Sequence, residues 1–232
     1  MIKKSIFPFL LLVLCTAPLF SQESYRFEFE TVSDVVRRTK EEFSKIKSYS
    51  ADFTITSKKG TTTTVQKGAL KSLRPNYLII NFTEPQNQRI VSDGKTMWIH
   101  IPSMNVVAEQ DLKDDSGTVF APGTYVGLRR LFAKYHYKFA SKNQPERAED
   151  GKEYYTLSLT QKESRSGYKT IKLWIAKENY MIMRAEGETA AGKSVAIAFS
   201  NISTTGDFSK GLFKMEIPSN AKVIKNPMIS EE

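Results

Sequence analysis

Few side chains in this sequence have the type and spacing for covalent or metal chemistry. There are two histidines, His100 and His136, and one cysteine, Cys15. That is too few for a zinc site built from Cys and His, a disulfide framework or an iron–sulfur cluster. His100 lies within an apolar segment and His136 between two tyrosines, positions that suit the face of a sheet better than a proton shuttle. The carboxylate pairs Asp114–Asp115 and Glu146–Glu149 fall in polar, turn-forming stretches, where a solvated surface is the ordinary outcome. No nucleophile elbow, phosphate loop, zinc-binding helix or dinucleotide fingerprint occurs. The expectation is a binding protein, not an enzyme, that needs no metal or cofactor.

The first residues are expected to be cleaved. Met1-Ile-Lys-Lys-Ser5 is a basic start, Ile6–Leu14 is apolar apart from Pro8, and Cys15-Thr-Ala-Pro-Leu-Phe-Ser21 follows, ending on a small residue. This pattern reads as a secretory signal over 1–21, with a cut after Ser21 or, as alternatives, near Ala17 or Pro18. The apolar run is shorter than the roughly 20 residues of a membrane span. Cys15 follows Leu14, where a lipidated cysteine would follow a small residue, so it is expected to leave with the signal. A mature chain without cysteine suits an oxidising compartment.

The remainder, 22–232, reads as one domain. Lys and Arg total 34 against 25 Asp and Glu, a formal charge of +9. The cations are spread over many turns and strands instead of clustering, which argues against nucleic acid. Two readings of the excess stay open: solubility, or attraction to anionic lipid head groups or an acidic partner.

Hydrophobic periodicity defines the elements. Val32, Val36, Thr39, Phe43 and Ile46 form one stripe of an amphipathic helix over 31–47, which Thr31 and Asp34 start as a capping pair. From Ala51 the period becomes two, and alternating segments joined by short turns continue for most of the chain. Asp93-Gly94 is the strongest hairpin signal. A second helical spacing, Tyr125, Leu128, Leu131 and Phe132, interrupts the strands. The expected fold is mainly β with α: an unclosed, strongly curved antiparallel sheet of about ten strands with helices on one face. Segments 77–82 and 97–101 are apolar on both faces, which requires material on both sides or a concave lining not filled by protein. A curved sheet under a helical lid would leave an apolar cavity for a hydrophobic ligand.

With these residues in place, the chain resembles the outer-membrane lipoprotein carrier protein family (LolA-like). The likeness is carried by Phe43-Ser-Lys-Ile-Lys-Ser-Tyr-Ser-Ala-Asp-Phe-Thr54, Gly68-Ala-Leu-Lys-Ser-Leu-Arg-Pro75, Glu84-Pro85, and Val91-Ser-Asp-Gly-Lys-Thr-Met-Trp98 with Pro102 beyond it. Phe213-Lys-Met-Glu-Ile-Pro218, followed by Val223, looks like the family's closing strand. The resemblance implies an unclosed barrel with a helical lid that shields the acyl chains of triacylated lipoproteins in the periplasm. It implies an inner-membrane ATP-driven transporter as donor, an outer-membrane receptor as acceptor, and a monomeric carrier.

By the same resemblance, Arg74 is the latch that holds the lid. Leu78, Ile80, Phe82, Met97 and Ile99 of the two-faced strands are expected to line the acyl-chain cavity, and the chain's own Pro122, Gly123 and Gly127 read as a lid hinge leading to a helix whose Tyr125, Leu128, Leu131 and Phe132 face that cavity. A charge at Leu78 is then expected to reduce cargo binding. The chain departs from the family in the strand Tyr77-Leu78-Ile79-Ile80, where Ile80 stands at the position of the family's tryptophan. Two alternatives are a carrier of free lipid or glycolipid and, if Cys15 were lipidated, an outer-membrane receptor. A sensor module would ordinarily need a second domain, and a plain core helix remains the other reading of 125–132.

Overall fold

The computed structural model describes residues 29–112, 125–163 and 167–226, with the side chains of Tyr125 and Val126 outside that description. The first helix, α1 (Val32–Lys45), starts where the capping pair requires. The Thr31 hydroxyl accepts from the Asp34 amide at 3.1 Å, and the Asp34 carboxylate accepts from the Thr31 amide at 3.3 Å. Val35, Val36, Thr39 and Phe43 are buried. Thr39 is tolerated in that stripe because its hydroxyl donates to the Val35 carbonyl at 2.8 Å.

Among the described residues thirteen strands follow in chain order. They are β1 (Ser48–Lys59), β2 (Thr62–Leu73), β3 (Tyr77–Glu84), β4 (Arg89–Asp93), β5 (Thr96–Ile101), β6 (Val106–Asp111), β7 (Tyr135–Phe139), β8 (Glu146–Arg147), β9 (Glu153–Gln161), β10 (Tyr168–Ala176), β11 (Ile182–Thr189), β12 (Ser194–Ser203) and β13 (Lys222–Lys225). A second helix, α2 (Tyr125–Lys134), precedes β7. The sheet runs β13-β6-β5-β4-β3-β2-β1-β12-β11-β10-β9-β7, with β8 paired to β9 off that path. It is unclosed: β13 and β7 are its two edges. All neighbours are antiparallel except β13, which lies parallel to β6.

Local chemistry sets the turns. At Gly94, φ is +93°, and the Asp93 carboxylate accepts from the Lys95 and Thr96 amides at 2.8 Å each, closing the β4–β5 hairpin. The two strands that alternation missed, β8 and β13, are two and four residues long. Segments that short show no readable period.

The larger core lies on the concave face. There Val35, Val36 and Phe43 of α1 and Leu128, Leu131 and Phe132 of α2 meet Leu157, Leu173 and Ile175 of the sheet. A second, smaller core explains the two-faced strands. Ile79 and Val91 point to the convex side, where they are buried against Phe213, which is fully inaccessible, with Phe208, Met215 and Trp98 packed around them. The chain after β12 thus crosses the outside of β3 and β4. This corrects the reading of 213–218 as the closing strand. Phe213 ends a short 3-10 turn (Lys210–Phe213) and fills the outer core, and the strand that follows is Lys222–Lys225, beyond Pro218.

Burial also sets an alkaline limit on stability. It raises the hydroxyl pKa of Tyr49, Tyr135, Tyr155, Tyr168 and Tyr180 above the ordinary tyrosine value. Burial, aided by a hydrogen bond to Asp150, pushes Tyr154 up to about 12. A pKa raised in the folded state binds its proton more tightly there than in the unfolded chain. The associated stability is complete below pH 10 and is lost as pH rises through the folded values. The melting temperature should therefore fall steeply between pH 10 and 12, while tyrosinate absorbance rises. A melting temperature independent of pH in that window would contradict the buried placement.

Candidate functional site

Alternation places one set of side chains from each half of the sheet on the concave face, and curvature brings the two sets together. Phe53, Ile55, Leu70, Ile80, Phe82 and Ile90 come from β1–β4. Tyr168, Ile171, Ala185, Gly187, Val195 and Ile197 come from β10–β12. Together they line a cavity of about 250 Å³. Among the described lining residues Tyr168 carries the only ionisable group, and burial raises its pKa. The floor depends on Gly68, where a methyl group would stand 2.2 Å from the Asn81 carbonyl oxygen and 2.8 Å from the Phe53 ring. Its absence lets Phe53 and Phe82 meet edge to face with ring centres 5.3 Å apart. Among the described residues the lining offers no Cys, Ser, His, Asp or Glu side chain. It can exclude water from an apolar ligand and little else. Two larger concavities, of about 950 and 810 Å³, carry charged walls that include Glu42, Lys45, Asp150 and Arg184 in one and Lys138, Lys172 and Glu186 in the other.

The expected site residues fall into four groups. Ile80 and Phe82 line the cavity. Leu78 and Met97 are each only 4% exposed, on a concave row with Ser92 and Gln110, and Ile99 is half-buried one row away. Leu128, Leu131 and Phe132 are buried in the core that α2 shares with α1, and Phe132 meets Tyr137 edge to face at 5.6 Å. Gly127 lies in the first turn of α2. Pro122 and Gly123, the other hinge positions, lie outside the described residues, as does the side chain of Tyr125. Reasoning from the sequence did not name Phe53, Ile55, Leu70, Ile90 and the whole β10–β12 wall. The signal was available in the alternations Phe53–Ile55 and Val195–Ile197, but which strands face one another is a tertiary fact. Of the remaining candidates, His136 is exposed on the edge strand β7, and His100 is half-buried on β5 opposite Arg89. Glu146 and Glu149 are exposed, and Asp114 and Asp115 lie outside the described residues.

Arg74 directly follows β2, where its amide donates to the Lys47 carbonyl at 2.9 Å. Its Nη2 donates to the Phe43 carbonyl at 2.9 Å. Phe43 is in the last turn of α1, whose carbonyls lack helical partners and carry the negative end of the helix dipole. A guanidinium that stays charged and offers several donors suits that position. The arginine therefore ties the end of a helix to the end of a strand. Arg74→Leu should cost about 1 kcal/mol, the scale of one charge-assisted bond discounted for exposure. Hydrogen exchange should quicken at the C-terminal end of α1 and stay unchanged in β9–β11. Unchanged exchange at 43–47 would show that the bond carries no weight.

Against known proteins, residues 44–216 match the family model described as "Outer membrane lipoprotein carrier protein LolA". An outer-membrane lipoprotein carrier protein of Neisseria meningitidis serogroup B is 28% identical over 177 residues, 75% of this chain and 77% of the relative. One from Pasteurella multocida is 26% identical over 198 residues, 82% of this chain and 87% of the relative. Among solved structures, an uncharacterized conserved protein from Thermus thermophilus shares the fold with a TM-score of 0.55 at 12% identity, covering 83% of this chain and 98% of that one. The match starts at the end of α1 and spans the strands that build the cavity and the Arg74–Pro75 junction, and on it the chain belongs to the LolA family of outer membrane lipoprotein carrier proteins.

Proposed function

We propose that this protein is a periplasmic carrier that shields the acyl chains of lipoproteins and moves them from the inner to the outer membrane. The observation that carries the reading is the apolar cavity between the two halves of the curved sheet, whose described wall residues are all apolar except for the hydroxyl of Tyr168. Family membership supports lipoprotein cargo. The basic and apolar start of the sequence supports export, with 1–21 as the signal and 22–232 as a single carrier domain. An inner-membrane ATP-driven transporter would load it and an outer-membrane receptor would unload it.

Loading has a steric requirement. If a methylene takes about the ~30 Å³ of a water molecule in the liquid, three 16-carbon chains need about 1,400 Å³. The cavity offers about 250 Å³. Full uptake of triacylated cargo then requires α1 and α2 to move off the sheet, and the Arg74–Phe43 bond is one of those that must break. This gives the latch a physical role: it favours the closed form and assists release.

The test adds purified mature protein to spheroplasts and examines the soluble fraction. Triacylated lipoproteins that co-elute with the protein support the reading. Lipoproteins that stay wholly on the membrane, under conditions where a known carrier releases them, would overturn it.

A further inference from the structure

The cavity does not end at Ile90. Strand register places Leu70, Ile80, Ile90, Ile99, Ala108 and Ile224 in one cross-strand row from β2 to β13. The first three line the cavity. Ile99 and Ala108 are half-buried, and Ile224, on the edge strand, is 39% exposed. The neighbouring concave row repeats the pattern with Ile101 and Val106, both half-buried, and ends at Lys222, which is exposed. An apolar track therefore leads from the cavity to the open edge of the sheet, where it meets a cation.

The dimensions suit one alkyl chain. A cavity of about 250 Å³ holds about eight methylenes at ~30 Å³ each. From β4 to β13 there are three strand spacings, about 14 Å. At about 1.2 Å per bond of extended chain, that distance takes some ten to twelve further carbons. The whole path fits a chain of about 18 carbons with its head group beside Lys222.

We infer that the closed protein binds a single-chain anionic lipid, its tail in the cavity, its chain along Ile90–Ile99–Ala108–Ile224 and its head group at Lys222. The shared chemistry is one long alkyl chain with a carboxylate or phosphate at its end, as in a free fatty acid or a lysophospholipid. This rests on the reading of the cavity as an acyl-chain site. It adds a ligand class that the closed form accommodates without opening, and a direction in which a chain leaves.

The experiment measures binding of saturated fatty acids of 8 to 18 carbons, below their micelle concentrations, and of 16-carbon lysophosphatidylglycerol and palmitate methyl ester. In the unaltered protein, affinity should rise with each added methylene, by at most about fourfold, and level off near 18 carbons. In Ala108→Trp, which obstructs the track, it should level off near 8 to 10 carbons, with the 8-carbon acid bound within twofold of normal. Ile99→Trp serves the same purpose if the first variant melts early. In Lys222→Glu, the preference for palmitate over its methyl ester should fall by at least threefold.

A full-length plateau retained in both tryptophan variants would overturn the track, and an unchanged head-group preference in Lys222→Glu would overturn the exit. If palmitate binds and 16-carbon lysophosphatidylglycerol does not, the ligand is the fatty acid, and the reverse identifies the lysophospholipid. Absence of binding by every chain in the unaltered protein would instead sink the acyl-chain reading of the cavity, a result distinct from either of the others.

Discussion

Glutamate in place of Ile80 is expected to reduce the recovery of soluble lipoprotein from spheroplasts by 30-fold or more while the protein stays folded. Ile80 is half-buried and lines the cavity from β3. A carboxylate there has no cation among the other lining residues. Burying an unpaired polar group costs at least about 2 kcal/mol, and the charged form costs more unless it takes up a proton. That cost falls on the liganded state, where the alkyl chain displaces the water that solvates the carboxylate. Ile80→Leu, which keeps size and polarity, should behave like the unaltered protein. The same charge at Leu78 asks a different question. Leu78 is 4% exposed with no solvent to turn toward, so Leu78→Glu should unfold the strand and its neighbours as well as impair binding. The informative result is Ile80→Glu with normal circular dichroism and no lipoprotein release. Normal release by that variant would remove the cavity from the mechanism.

Phe213→Ala should give the largest loss of stability of the substitutions considered. The ring is fully inaccessible on the convex side of β3 and β4, against Ile79 and Val91, and lies 5.6 Å from the Tyr77 ring. Phe-to-Ala changes at such sites cost about 3–5 kcal/mol, because the void left behind adds to the lost transfer energy. For a domain of this size that amounts to about 10 °C in melting temperature. The physical consequence is specific, since the same two strands carry Ile80, Phe82 and Ile90 on their concave side. Loss of the outer core should loosen the cavity wall from behind, so lipid binding should fall more steeply with temperature than in the unaltered protein. A melting temperature within 3 °C of normal would show that residues 208–215 lie on the sheet without holding it.

Both predictions bear on how much was readable before the fold. The capping pair Thr31–Asp34, the stripe Val36–Thr39–Phe43 and the Asp93–Gly94 hairpin depend on contacts a few residues apart. They were legible because period and turn chemistry are local properties. The apolar character of both faces of 77–82 was equally plain. Its cause was not, because Phe213 reaches Ile79 from more than a hundred residues away in the chain. The closing strand went wrong for a related reason: Phe213-Lys-Met-Glu-Ile-Pro218 alternates like a strand, but the outer core claims Phe213, and β13 forms later, beside β6.

The sequence by itself determined the mainly β class with an opening helix, the family, and the Arg74–Pro75 and Asp93–Gly94 positions. All of these follow from residue type and short-range spacing. Only the tertiary structure decided that Phe53, Ile80, Ile90 and Ile197 share one cavity, that Arg74 reaches the Phe43 carbonyl, and that an apolar row leads from that cavity to Lys222. A period of two states which face a side chain takes but not which distant strand it meets. Curvature and register, set by pairings such as β1 with β12, supply that remaining information.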